Sequence, residues 1–195
     1  MKTLDEFVMV FDDMIEPELA SAVLDEYADS AEWQTPNPDK GHQVDSHSAI
    51  LMTHDTVTGR GAGRKQIADE VIQSIGRAFD HYHKKFSRRE QGLNFLHIDK
   101  LVGVRINRYE TGQYMVNHTD KYPDSDTGQV SWPAVTFSLN LNDDFTGGEL
   151  SLLDGDIVFK ATARQGIFFP ANFLFPHAVN RITSGARYAL VGWLI

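Results

Sequence analysis

The sequence predicts a mostly β protein: a jelly roll, or double-stranded β-helix of cupin-like form, with N-terminal helices packed on one sheet. Three observations carry this. Two long amphipathic segments lie in the first half of the chain. About eight short β-rich runs follow Leu101, each bounded by turn residues. No internal repeat or low-complexity tract interrupts them. Regularly spaced short strands point to a sandwich or barrel, and eight of them fit a jelly roll.

The first helix is expected from Pro17 to about Asp29. Proline is well placed in an opening turn, and Leu19, Val23, Leu24 and Tyr27 fall on one face. The second runs from about Lys65 to Phe86, with Ile67, Val71, Ile72, Ile75, Phe79, Tyr82 and Phe86 at threes and fours. Such stripes must pack on something. Residues 35–64, between the helices, are rich in Pro, Gly, Asp and His. Long connections of this kind are often lids over sites. His42, His47 and His54 lie there, readable as metal ligands or, more commonly, as scattered histidines of a polar loop.

The strand runs are L-V-G-V-R-I-N-R-Y, Y-M-V-N-H-T-D, A-V-T-F-S-L-N-L-N, G-E-L-S-L-L, D-I-V-F-K-A-T-A, G-I-F-F-P, H-A-V-N-R-I-T and R-Y-A-L-V-G-W-L-I. Gly147 and Gly148 shape one of the turns between them. The chain is expected to be a single domain over 1–195. Residues 1–94 would give helical support and a candidate lid, and 95–195 the double-stranded β-helix core.

Composition narrows the function. A length of 195 residues suits one domain. The formal net charge of -9 argues against a nucleic-acid groove, which needs clustered cations. One basic cluster exists, Lys84, Lys85, Arg88 and Arg89, at a helix end where the dipole favours it. With no cysteine, any metal must be held by His, Asp or Glu. No apolar run approaches the roughly 18 residues of a membrane span, and the acidic start M-K-T-L-D-E-F is a poor signal peptide. A cytoplasmic location is expected, with no membrane partner.

His118 and Asp120 lie two apart near the end of the second strand run, and side chains two apart on a strand share a face. A lone H-x-D is common by chance, so a third ligand is needed. His177 opens the seventh run. His81 and His83 sit on a helix at a spacing that separates their faces, and His97 precedes the barrel. The candidate set is His118, Asp120 and His177: two imidazoles and one carboxylate, as in the facial triad of non-haem Fe(II) oxygenases. Alone, His177 reads more commonly as a buried, hydrogen-bonded core histidine. Arg187 begins the last, apolar run, where a buried guanidinium needs an anionic partner. That partner is either a ligand carboxylate or an acid of the protein.

Four stretches now stand in order: R-I-N-R-Y-E-T-G-Q-Y-M-V-N-H-T-D, F-T-G-G-E-L, G-I-F-F-P and P-H-A-V-N-R-I-T-S-G-A-R-Y-A-L-V-G-W. Together they resemble the 2-oxoglutarate- and Fe(II)-dependent dioxygenases, in particular the prolyl 4-hydroxylase-like enzymes. The resemblance covers roughly residues 95–195. It implies that His118, Asp120 and His177 bind Fe(II), that Arg187 binds the far carboxylate of 2-oxoglutarate, and that Tyr109 bonds that same carboxylate. Asn140 joins the cosubstrate set, on a strand where Thr136, Ser138, Asn140 and Asn142 alternate with apolar residues. That face turns either to a wet cavity or to solvent. Arg105 and Asn107 share the parity of Tyr109 and are expected in the same cavity. Trp193 shares the parity of Arg187 and either walls the iron site or packs in the core.

The implied chemistry consumes O2 and gives succinate and CO2, with ascorbate as a reductant. The implied substrate is a prolyl residue of a peptide or protein. Trp33, Tyr122 and Trp132 are candidates to stack on a proline ring or to anchor their own loops. The alternatives are the same chemistry on a free amino acid, another small molecule or a nucleobase, a non-catalytic jelly-roll binding module, and a cupin-like metal enzyme without the oxo acid.

Overall fold

Pro17 has no N–H to leave unsatisfied, so a helix can start on it. In the computed structural model, α1 (Pro17–Tyr27) does so and buries Leu19, Ala20, Val23 and Tyr27. The structure describes residues 3–34, 48–52, 62–86, 98, 100–123, 130–160 and 162–195. Helix α2 (Ala62–Phe86) begins three residues earlier than the apolar pattern suggested and buries Ala68, Val71, Ile75, Ala78 and Tyr82. The Tyr82 hydroxyl donates to the Phe7 carbonyl, 2.9 Å, tying α2 to the short 3-10 turn Leu4–Phe7. Lys84 and Lys85 sit in the last turn of α2, where the dipole favours cations. Arg88 and Arg89 lie outside the described residues, as do His42, His47, His54 and His97.

The strands are β1 (Met9–Phe11), β2 (Ser48–Leu51), β3 (Leu101–Glu110), β4 (Met115–His118), β5 (Tyr122–Pro123), β6 (Val130–Ser131) and β7 (Val135–Asn140). They continue with β8 (Thr146–Gly147), β9 (Leu150–Leu152), β10 (Ile157–Phe159), β11 (Gly166–Pro170), β12 (His177–Val179), β13 (Ile182–Ser184) and β14 (Ala186–Leu194). A six-stranded antiparallel sheet has the order β1-β11-β7-β14-β3-β2, and a four-stranded one the order β10-β9-β12-β4. β8 pairs with β13 and β5 with β6. The two larger sheets face each other as the double-stranded β-helix expected from the sequence.

Alternation explains the layers. Val104, Ile106, Phe137, Leu139, Phe168 and Leu190 point from the six-stranded sheet into a core shared with α1 and α2. Tyr109, Ile167 and Phe169 point the other way and meet Met115, Leu150, Leu152 and Val179 of the four-stranded sheet. The helices therefore buttress one outer face, and the space between the sheets is left for the site.

Three features differ from the expected strand plan. H-A-V-N-R-I-T is two strands, because the chain changes partner at Asn180 and Arg181: β12 pairs with β9 and β4, β13 with β8. The first half, expected to be helical, adds β1 and β2 as the edges of the six-stranded sheet. Part of the candidate lid is thus an edge strand, while 35–47 and 53–61 lie outside the described residues. Finally, β3 carries a bulge. Val191 stands opposite Arg105 but Trp193 opposite Val102, so β3 holds one extra residue there. Gly103 lies within it at φ 62°, a conformation glycine adopts without a Cβ penalty. Among the described residues, no helix is long and apolar enough to cross a membrane.

Candidate active site

β4 and β12 are antiparallel neighbours, and His118 and His177 are directly paired across them. Their rings lie 4.3 Å apart, centroid to centroid. Asp120 follows the end of β4 and is buried. Its Oδ1 lies 3.6 Å from His118 Nε2 and its Oδ2 3.4 Å from His177 Nε2. One ligand atom from each residue falls within 4.8 Å of the others, as a shared metal ion requires.

The surroundings fix which atoms face that point. His118 Nδ1–H donates to the Val116 carbonyl at 2.9 Å, and His177 Nδ1–H to the Phe175 carbonyl at 3.2 Å. A carbonyl only accepts, so each Nδ1 holds the proton and each Nε2 is left for the metal. Thr136 Oγ1 of β7 donates to Asp120 Oδ2 at 2.5 Å, aiming the carboxylate. Burial works to raise the Asp120 carboxyl. The two imidazoles and the Thr136 hydroxyl outweigh it and hold the group well below the usual carboxylate range. Burial pushes His177 down, while the bond and charge of Asp120 outweigh burial at His118 and raise it. Two neutral imidazoles and one carboxylate suit a divalent iron ion and leave other positions open.

Arg187 of β14 stands at the other end of the cleft, opposite Tyr109 of β3. It is 2% exposed. Its Nε donates to Asn140 Oδ1 at 2.9 Å and one terminal nitrogen to Ser138 Oγ at 3.4 Å. Its guanidinium carbon lies 5.5 Å from the Tyr109 ring centre. Burial lowers its pKa, and Tyr109 and Glu149 act in the opposite sense. Among the described residues it forms no ion pair, so the protein-acid reading is not met there. A buried charge whose hydrogen bonds, among the described residues, go to neutral groups, with Glu149 acting only at a distance, fits an anionic ligand. Gly148 keeps the place clear: a Cβ on it would come 2.4 Å from Ile182 Cδ1 and 3.2 Å from Arg187 Cδ.

The cleft encloses about 370 Å3 of empty space, part of it open to solvent, and both ends belong to it. Arg105, Asn107 and Tyr109 line it from β3, as their shared parity predicts. The Tyr109 hydroxyl accepts from Asn107 Nδ2 at 3.5 Å and donates weakly to Met115 Sδ at 4.0 Å. Thr136, Ser138 and Asn140 all point inward. Asn142 does not, because β7 ends at Asn140; its side chain instead bonds Asp144, the Ala186 carbonyl and the Tyr188 N–H.

Of the stacking candidates, Trp33 and Trp132 do not line the cleft; Trp193 packs beneath Arg105. Trp193 is buried behind the cleft, with the Arg105 guanidinium 4.8 Å from its ring centre. Trp33 is an anchor: it donates to the Ala28 carbonyl and packs on Arg108 and Tyr188. Trp132 is 65% exposed, with Lys121 over its ring, and does not line the cleft. Tyr122 lies on β5, and its side chain is outside what the structure describes. Roles the sequence left unassigned fall to Thr136, Ser138 and the Val116 and Phe175 carbonyls. The alternation on β7 signalled the first two, whereas carbonyls leave no sequence signal.

Residues 104–195 match the sequence profile of the 2OG-Fe(II) oxygenase superfamily. A PKHD-type hydroxylase of Rippkaea orientalis is 37% identical over 100 residues, 49% of this chain and 43% of that protein. One from Acaryochloris marina is 35% identical over 151 residues, 76% of this chain and 62% of that protein. The chain thus spans about half the length of the relatives it matches. Among solved structures, a Pseudomonas putida prolyl-4-hydroxylase superposes with a TM-score of 0.67 at 19% identity, covering 96% of this chain and 91% of that one. A Trichoplax adhaerens prolyl hydroxylase, in complex with a hypoxia inducible factor peptide fragment, gives 0.69 at 16%, covering 96% and 83%. These matches support a 2OG-Fe(II) oxygenase. The fold of the chain is that of the prolyl 4-hydroxylase-like members.

Proposed function

We propose that the protein is an Fe(II)- and 2-oxoglutarate-dependent dioxygenase that hydroxylates a prolyl residue of a peptide or protein. One observation carries the cosubstrate: Arg187, a buried guanidinium with neutral partners, shares a cleft with a His-Asp-His set. The prolyl substrate is suggested by the prolyl hydroxylases that share the fold. In this reading all 195 residues act as one cytoplasmic unit, residues 1–94 supporting the β-helix.

His118 Nε2, His177 Nε2 and an Asp120 oxygen would hold the iron. When bound, iron with 2-oxoglutarate and O2 supplies the oxidation, giving succinate, CO2 and a hydroxylated C–H carbon. The chain positions and shields. The Val116 and Phe175 carbonyls hold the imidazoles in the tautomer that presents Nε2. Arg187 receives the far carboxylate, with Asn140 and Ser138 fixing its fork. Tyr109 closes the space beneath that guanidinium. Leu150, Phe169, Val179 and Val191 line the remaining wall and exclude water. No side chain need act as acid or base on the substrate, and ascorbate would serve as an external reductant.

A second reading, the same chemistry on a free amino acid or other small acid, is favoured by Arg105, a further cation in the cleft. Anaerobic addition of Fe(II) to protein with 2-oxoglutarate tests the proposal. A visible charge-transfer band is expected, then, on admitting air and a prolyl peptide, succinate and a mass gain of one oxygen atom. Absence of both band and succinate would overturn the reading; a band and succinate without peptide oxidation would overturn only the prolyl substrate.

A further inference from the structure

Arg105 is a second guanidinium in the cleft, and the assigned machinery gives it nothing to do. It lines the same space as Asp120 and Arg187. Its Nε is shut away from solvent with no hydrogen-bond partner, and it forms no ion pair among the described residues. Tyr109 and Asp120 act on it electrostatically, but burial keeps the Tyr109 phenol neutral, and Asp120 is committed to the metal and to Thr136. Burial lowers its pKa, yet a guanidinium stays charged in proteins. Arg105 is partly rather than fully buried, and an uncompensated cation so far withdrawn from water is costly unless a ligand supplies the anion.

That anion is not the one Arg187 receives. Both guanidiniums act on Tyr109, but they rest on different groups: Arg187 on Asn140, Arg105 on Trp193. Trp193 pairs with Thr136 of β7, four residues from Asn140, or about 13 Å of strand. Arg105 therefore serves the metal end of the cleft. There, a divalent ion and Arg105 face only Asp120 and the chelating carboxylate of the oxo acid, leaving one positive charge unmatched. Beside it, Asn107 Oδ1 is buried without a donor. A charged fork next to a free acceptor fits a ligand that offers a carboxylate and an N–H close together.

We propose that Arg105 is a specificity-determining residue that receives a carboxylate of the substrate, with Asn107 accepting from a neighbouring N–H. The substrate is thus an acidic one whose carboxylate lies close to the oxidised carbon. The carboxylate comes either from the target residue itself, as a free amino acid or C-terminal residue, or from an adjacent acidic side chain. This rests on the proposed function in taking the cleft as the substrate site.

Calorimetric titration of the full chain loaded with Zn(II) and 2-oxoglutarate reads binding without turnover, since zinc is redox-inert. The probes are matched acids and amides: N-acetyl-L-proline and its amide, the common L-amino acids and theirs, and N-acetyl-L-glutamyl-L-proline amide. At least one acid should bind tenfold or more tighter than its amide. Arg105→Gln should lose that preference, and Arg105→Lys, which keeps the charge, should retain part of it. Tight binding of the glutamyl amide assigns the carboxylate to a neighbouring side chain, and tight binding of the free acids alone assigns it to the target residue; both support the inference. No preference in any pair, including no binding, overturns it, as does a preference that survives Arg105→Gln. A loss of 2-oxoglutarate affinity in Arg105→Gln equal to that in Arg187→Gln assigns Arg105 to the cosubstrate and also overturns it. If 2-oxoglutarate fails to bind wild-type protein, the proposed function falls. The acid–amide comparison on protein with Zn(II) alone then still decides for or against Arg105.

Discussion

On the helix side of the six-stranded sheet, β3, β7, β11 and β14 present Val104, Ile106, Phe137, Leu139, Phe168 and Leu190 to α1 and α2. On the opposite side, β3, β7 and β14 present Arg105, Asn107, Tyr109, Thr136, Ser138 and Arg187 to the cleft, with Asn140 bonded to Arg187 behind them. Both faces are buried, and adjacent residues of one strand serve opposite ends. The apolar face stabilises by removing surface from water, about 25 cal/mol per Å2. The polar face cannot: buried charged groups are often replaceable by apolar ones at no loss. Its retention is understandable only through what it binds. The difference separates stability from function within a single sheet, so each face should fail in its own way when altered.

The largest effect is expected at the metal. His118→Ala should reduce iron-dependent turnover of 2-oxoglutarate to background while the metal-free fold melts near the wild-type temperature; persisting turnover would remove His118 from the ligand set. Phe168→Ala tests the apolar face and should lower unfolding free energy by about 3–5 kcal/mol in urea titrations. A simultaneous collapse of 2-oxoglutarate affinity in the still-folded fraction would show that the faces are not separable. Arg187→Met should weaken 2-oxoglutarate binding by about 2–5 kcal/mol without lowering the melting temperature. A lower melting temperature at unchanged affinity would make Arg187 structural. Thr136→Val leaves Asp120 less firmly aimed and should weaken metal binding about 10–100-fold, read by competition with a chromophoric chelator. Gly103→Ala should cost about 1–2 kcal/mol in thermal unfolding, the strain of a Cβ at positive φ; an unchanged curve would mean the bulge relaxes freely.

Much of this arrangement was legible in sequence where the information is local. Period-two alternation placed Arg105, Asn107 and Tyr109 on one face, and Thr136, Ser138 and Asn140 on another. The spacing of His118, Asp120, His177 and Arg187 within the strand pattern located the two ends of the cleft. What needed the structure depends on register between distant segments. β1 is three residues long and pairs with β11, more than 150 positions away, so no local pattern announces it. Trp193 shares the parity of Arg187, but that it packs under Arg105 and faces Val102 across the bulge is set by the register of β3. For Trp33 the choice between stacking and anchoring is decided by Arg108 and Tyr188, distant in sequence, which pack on it.

The bulge has one more consequence. By shifting the phase of β3 by one residue, Gly103 separates the start of the strand from the part that builds the cleft. Val102 answers to Trp193, whereas Arg105, Asn107 and Tyr109 answer to Val191, Ala189 and Arg187. The strand thereby keeps its pairing with β14 on both sides of the bulge, and only the part beyond it builds the cleft.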